Sequence, residues 1–342
     1  MREAMFIKKN VDKWNEYQRI ETNDPDETAE RFVTLVDDLS YAKTFYPQSK
    51  VTRWINAIAA NIYQSIYKNK KEKYSRVFTF WRYELPLLFR KYHKVLLFAF
   101  LVNLFFTLIG VWGSINNEDF MRGALPGGYV DKTLDNISNG DPFGVYKSDN
   151  PFSMFVFIAL NNISVAFLMA IGGLTLGIWT LFSDWQNSVM LGAFQYMFFA
   201  HGLGAESVLV IWIHGTLEIL SFIVASTVGY IIGQSILFPG TYSRIQSFKR
   251  GLKDGFKIMV ALVPIFITAA FFESYVTHLM SNTYSKTKSG GLPVWGSVII
   301  LVASLAFILW YFVFYPIRLH KRGYQLPSDG ILKQPVSLNA PS

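Results

Sequence analysis

The chain predicts an all-α, polytopic membrane protein: about six transmembrane helices, preceded by an N-terminal cytosolic helical region and an interfacial amphipathic helix. Three observations predict this. Of the 342 residues, 51% are hydrophobic and 16% charged, with a mean hydropathy of +0.25, a balance outside the soluble globular range. Beyond residue 93 the sequence is a succession of apolar runs, several close to the ~20 residues that cross a hydrocarbon core. The basic residues gather between those runs, in segments that belong on one side of a membrane. The chain has no cysteine, which removes disulfides, thiolate metal sites and cysteine nucleophiles from consideration. Its opening stretch, MREAMFIKKNVDKWNEYQ, lacks an apolar leader and is expected to begin in the cytosol, with the first span acting as insertion signal.

Residues 1–75 read as the cytosolic helical region. Phe32, Leu35, Val36, Leu39, Ala42 and Phe45 recur at spacings of three and four until Pro47, and Val51, Trp54, Ile55, Ile58 and Ile62 repeat the pattern. Two or three such amphipathic helices bury a small mutual core. Residues 76–93 read as a basic amphipathic helix lying on the anionic inner leaflet. Phe78, Trp81, Leu85, Leu88 and Tyr92 share one face, with Arg76, Arg82, Arg90 and Lys91 beside them and Lys70, Lys71 and Lys73 just before. Arg76, Trp81, Arg82, Arg90 and Lys91 are the candidate membrane-surface residues. The net charge of +8 is thereby assigned to lipid rather than to nucleic acid.

The transmembrane domain, 94–315, divides into spans near 94–115, 152–182, 187–200, 208–238, 258–279 and 294–314. The third is short and carries Gly192 and Gln195, so it could be re-entrant, but the charge pattern argues that it crosses. Segment 116–150 is acidic and turn-rich, with Glu118, Asp119, Asp131, Asp135 and Asp141, and reads as an external loop. Segment 239–257 carries Arg244, Lys249, Arg250, Lys253 and Lys257 and reads as a cytosolic loop; the tail, 316–342, adds Arg318, Lys321 and Arg322. Six crossings with both termini cytosolic place both basic segments inside.

The informative residues are the polar ones within the apolar runs. His214 and Glu218 stand one helical turn apart and share a face that continues through Ser221, Ala225, Gly229 and Gly233. Asn161, Asn162, Gly173 and Gly177 mark the second span, and Glu273 the fifth. The Gly-x-x-x-Gly spacings at Gly173/Gly177 and Gly229/Gly233 let helix backbones approach closely, within one chain or across a homodimer. Ionisable groups at membrane depth are costly and so point to function or architecture. His214 and Glu218 admit a polar clamp completed by the Asn161 and Asn162 amides, an ion- or proton-linked path with Glu273 as partner, or a metal site. Two donors fall short of the three that a catalytic zinc takes beside water, so no metal and no cofactor is expected. Nucleophile-elbow, phosphate-loop and dinucleotide motifs are missing from the sequence, which speaks against an enzyme.

These residues resemble the stage II sporulation protein M family of bacterial membrane proteins. The match runs through Asn161-Asn-Ile-Ser-Val-Ala-Phe, Gly172-Gly-Leu-Thr-Leu-Gly177, Asn187-Ser-Val-Met-Leu-Gly192, His214-Gly-Thr-Leu-Glu218 and Glu273-Ser-Tyr-Val-Thr277. The resemblance implies a multi-pass protein of the bacterial cytoplasmic (inner) membrane. In spore formers the family member anchors the peptidoglycan-degrading sporulation proteins D and P. The function expected here is a non-enzymatic scaffold, a homodimer in the lipid bilayer, that assembles protein partners, with cell-envelope remodelling factors as the candidates. The alternatives are a permease or lipid/ion-handling component and an intramembrane metallohydrolase.

Overall fold

The computed structural model describes residues 2–19, 22, 24–68, 75–146, 150–286 and 290–326. Lys70, Lys71, Lys73 and the tail from 327 onward lie outside the described residues. The fold is helical, with no strand among the described residues, and divides into two compact units, 1–77 and 78–342.

The first unit contains α1 (Glu3–Arg19), α2 (Pro25–Phe45) and α3 (Lys50–Lys68). Asp24 caps α2 by accepting from the Asp26 amide, and Pro25 occupies the first turn, where its missing N–H costs nothing. The core joins Phe6, Trp14, Leu35, Ala42, Ile55, Ile58 and Ala59. Trp14 is wholly buried, its indole N–H donating to Asp38 at 2.7 Å. Val36 and Phe45, placed on the apolar stripe by spacing alone, are exposed.

The division falls within α4 (Ser75–Thr79), and the second unit continues with a π turn (Phe80–Glu84) and α5 (Leu85–Lys91). Here the structure departs from a helix resting on lipid. Leu85, Leu88 and Phe89 are buried in the protein core, and Glu84 pairs with Lys257 at 2.8 Å. The Tyr311 and Tyr315 hydroxyls donate to the Trp81 and Arg82 carbonyls. From Leu85 onward the apolar face of this elbow therefore covers protein, whereas Phe78 at its start is exposed; Arg76, Arg82 and Lys91 remain exposed and Arg90 partly so.

The long helices are α6 (His93–Asn116), α9 (Pro151–Ile171), α10 (Ile178–Ala200), α11 (Gly204–Leu237), α12 (Arg244–Phe271) and α14 (Val294–Ile308). A π turn (Phe272–Thr277) carries α12 into α13 (His278–Thr283), and another (Leu309–Phe314) carries α14 into α15 (Tyr315–Lys321). Five of these continuous helical segments are long and apolar enough to cross a membrane, starting at His93, Pro151, Gly204, Arg244 and Val294. With α10, whose polar residues lower its apolarity, they form a multi-pass helical bundle around α11.

Three boundaries differ from the sequence reading. The second and third spans separate not at 183–186 but at a 3-10 turn (Gly172–Thr175) followed by Leu176 and Gly177, both at positive φ. That lets α10 run for 23 residues, or ~34 Å at 1.5 Å per residue, a length that matches a hydrocarbon core. Segment 239–257 is mostly helix, because α12 begins at Arg244 behind a Ser243 cap. Segment 116–150 is likewise structured, with α7 (Glu118–Ala124) and α8 (Tyr129–Ser138) folded over the bundle end. Phe143 is fully buried there, stacked on Phe198. Ser281 Oγ donates to the Phe143 carbonyl at 3.0 Å and the Lys286 amide to the Gly140 carbonyl at 2.8 Å. At the opposite end Lys91 pairs with Asp254 at 2.6 Å. The Tyr92 hydroxyl donates to the same carboxylate at 2.8 Å, and burial, reinforced by that charge, raises the Tyr92 pKa and keeps it protonated.

Candidate functional site

The four glycines of the sequence analysis act inside the chain. A Cβ on Gly173 would fall on the Gly229 carbonyl oxygen, and one on Gly229 would lie 2.7 Å from the Met169 carbonyl oxygen. A Cβ on Gly233 would lie 2.8 Å from the Leu176 carbonyl carbon. The α9–α10 hairpin turn is thus seated directly on the α11 backbone. Gly177 serves differently, holding the left-handed φ of +87° that lets the chain reverse. A second close approach joins α6 to α10, where a Cβ on Gly192 would strike the Thr107 carbonyl and one on Gly110 the Val189 carbonyl. These contacts fix α11 and α10 as platforms for polar side chains.

On α11, His214 is buried and Glu218 lies one turn below it, partly accessible. The residues facing them come from the π turn after α12. His214 Nδ1 lies 2.9 Å from Thr277 Oγ1, and Nε2 lies 4.0 Å from Glu273 Oε1. Glu273 and Thr277 thus reach the same imidazole from one turn of the neighbouring helix. A π turn widens the helix locally and re-aims side chains, and such turns recur at functional sites. One donor atom each from His214, Glu218 and Glu273 lies within 4.8 Å of the other two. The third donor that sequence spacing could not supply comes from the next helix.

A cavity of about 290 Å³ opens onto this trio, its wall including Asn103, Asn187, His214, Glu218 and Glu273, with Leu125, Pro126 and Tyr129 of the α7–α8 segment at one end. No Lys or Arg is among its lining residues. Burial, reinforced by the Glu273 carboxylate, pushes the Tyr129 phenol above its ordinary range, so it stays a hydrogen-bond donor.

The remaining predicted residues sit as follows. Asn162 is 6% exposed and within electrostatic reach of Glu218, yet its amide nitrogen is buried and makes no hydrogen bond. Asn161 is exposed, its amide directed to Asn162 at 3.3 Å rather than to the His/Glu pair. Ser221 donates back to the Leu217 carbonyl at 2.8 Å within its own helix. Trp81, Arg82, Arg90 and Lys91 belong to the elbow at the other end.

A second polar cluster lies outside the residues that the sequence singles out. Asp184, fully buried on α10, accepts from Asn103 Nδ2 at 3.3 Å, from Ser188 Oγ at 3.4 Å and from Tyr230 Oη at 3.3 Å. Asn103 Nδ2 also donates to Ser188 Oγ at 2.7 Å. The network ties α6, α10 and α11 together. Its signal was a carboxylate amid Trp, Gln and Asn, which reads as a connection between spans.

A family model described as Stage II sporulation protein M matches residues 96–278, more than half of the chain and every residue of both clusters. Residues 4–68, within the first compact unit, match a domain of unknown function (DUF8413). No curated protein and no solved structure matches the chain.

Proposed function

The chain belongs to the stage II sporulation protein M family, and from that premise we propose that it is a non-enzymatic scaffold of a bacterial inner membrane that docks partner proteins on its folded extramembrane surfaces. The observation that carries this reading is the cap formed by residues 117–146. It is built of α7, α8 and the buried Phe143 turn, and fastened by the Ser281 and Lys286 bonds. A preformed surface binds without the ordering entropy that a flexible loop must lose. The basic residues of α12 and α15 support an orientation with that end cytosolic and the cap outside. Because the glycine stripes are occupied within the chain, a homodimer would use other surfaces.

The absence of native cysteine makes the test direct. A photo-crosslinking residue at exposed Asp135 or Ser138 of the cap is expected to capture one recurrent protein partner in native membranes. The same residue at lipid-facing Leu108, 57% exposed, is expected to capture none. Absence of any protein adduct from the cap positions would overturn the reading. Single cysteines at Ser138 and Ser247 test the orientation: only the first should label from outside.

The cavity that joins Asn103, Glu218 and Glu273 favours a second reading, ion or lipid handling through the bundle. It predicts flux in proteoliposomes that Glu218→Gln abolishes; wild-type protein without flux would sink it.

A further inference from the structure

We propose that His214, Glu218 and Glu273 form a binding site for one divalent first-row transition ion, such as zinc or manganese. The site stands independently of the assembly role, because it rests on side chains inside the bundle. Four observations lead to it. The three donors come from two helices that pack on each other, and their atoms already lie within 4.8 Å of one another. That is somewhat wider than the spacing around an ion with bonds of about 2.0–2.2 Å, and rotation of the two glutamate side chains closes it. The imidazole is held through Nδ1 by Thr277 Oγ1 at 2.9 Å, while Nε2 is directed toward Glu273. Metal-binding histidines are oriented in this way, one ring nitrogen fixed by a hydrogen-bonding neighbour and the other presented to the ion.

The cavity supplies the third observation. Three protein donors leave coordination positions for water, and the space beside the trio is large enough to hold it. Two carboxyls sit at membrane depth with no Lys or Arg among the lining residues to balance them, and a bound dication supplies that balance. The fourth is Asn162. Its amide nitrogen is buried without a partner, beside Glu218, placed to hold one carboxylate oxygen while the other turns to the ion. The donor set fixes the class of metal. One imidazole and two carboxylates, with no cysteine anywhere in the chain, suit zinc or manganese over ions that demand thiolate.

The test uses the full chain, purified in detergent with any affinity tag removed. The protein is loaded with Zn²⁺ or Mn²⁺ and dialysed against metal-free buffer. Wild type is expected to retain about one ion per chain, with a raised melting temperature. The double variant Glu218→Gln/Glu273→Gln should retain close to none. Thr277→Val should weaken binding by about ten-fold through loss of imidazole orientation. Zinc absorption spectra of the wild type should show a single imidazole among oxygen donors, a result that does not depend on any variant folding. Wild type that retains no metal overturns the proposal. So does a folded double variant that retains as much as wild type, or a spectrum with two or more imidazoles.

Discussion

The bundle encloses two carboxyl clusters with different degrees of satisfaction. Asp184 is sealed: it is fully buried and accepts from donors on α6, α10 and α11. Glu218 and Glu273 face a cavity, and the polar atom nearest in kind, the Asn162 amide, stops short of hydrogen-bond geometry. Buried polar groups that have their partners act as struts, whereas those left short of partners beside open space are poised for a ligand. The clusters share a wall, since Asn103 serves Asp184 and also lines the cavity. The strut therefore shapes the pocket.

Removing the strut is expected to have the largest effect. Asp184→Ala deletes three interhelical or same-helix acceptor contacts. Hydrogen bonds within membrane bundles average ~0.6 kcal/mol each, which gives ~2 kcal/mol. Leaving the part-buried Tyr230 hydroxyl and one Asn103 N–H without an acceptor, the other still donating to Ser188, adds ~1 kcal/mol. A loss of about 3 kcal/mol, read by thermal unfolding in detergent, is the expected outcome; a loss no greater than that of Glu218→Gln would erase the contrast.

Next comes Gly192→Ala. Its Cβ would collide with the Thr107 carbonyl, so α6 and α10 must separate where the Asn103–Asp184 bond spans them. Overpacking of this kind costs ~2 kcal/mol. The variant also sharpens the comparison, because it should loosen the strut without touching any residue of the His214 site.

Much of this was legible in the sequence and some was not, for physical reasons. His214, Glu218 and Glu273 stand out because each interrupts an apolar run, and membrane depth makes such interruptions costly. Asp184 hides because its helix also carries Thr180, Ser183, Gln186, Asn187 and Ser188. Their summed polarity mimics a connection, although Thr180, Asp184 and Ser188 are all buried. The true reversal, Gly172 to Gly177, hides for the opposite reason. It is packed against α11 and so stays apolar, turning by glycine and a left-handed Leu176 instead of by polar residues. Thr277 enters the sequence reading only as the end of the Glu273–Thr277 stretch, without a role, since nothing in residue spacing announces the π turn that aims it. The helices of the cap were masked by the Gly, Asn and Asp residues around them, though Met121, Val130 and Thr133 are buried.

Neutralising the second cluster should have a smaller effect. Glu218→Gln and Glu273→Gln each remove a carboxyl with a single polar neighbour, Asn162 beside Glu218 and His214 Nε2 at 4.0 Å from Glu273. In metal-free buffer each is expected to leave stability within ~0.5 kcal/mol of wild type, or to raise it by relieving like-charge repulsion. A loss of 2 kcal/mol or more, on the scale expected for Asp184, would mean that the trio is a strut as well.

A change of comparable size, the removal of one oxygen atom, asks how evenly the strut is shared. Tyr230→Phe removes one hydroxyl and keeps the ring, which packs edge-on against Phe98 with centroids 5.2 Å apart. The measurement therefore isolates the Tyr230–Asp184 bond, which at 3.3 Å is long. A loss of ~0.6 kcal/mol is expected. In the Asp184→Ala background the same substitution should cost nothing or recover stability, because the hydroxyl no longer has an acceptor to lose. If Tyr230→Phe costs the same in both backgrounds, the hydroxyl is bonded elsewhere. Asp184 would then be held from α6 and its own helix alone, and α11 would owe its place to the glycine contacts at Gly229 and Gly233.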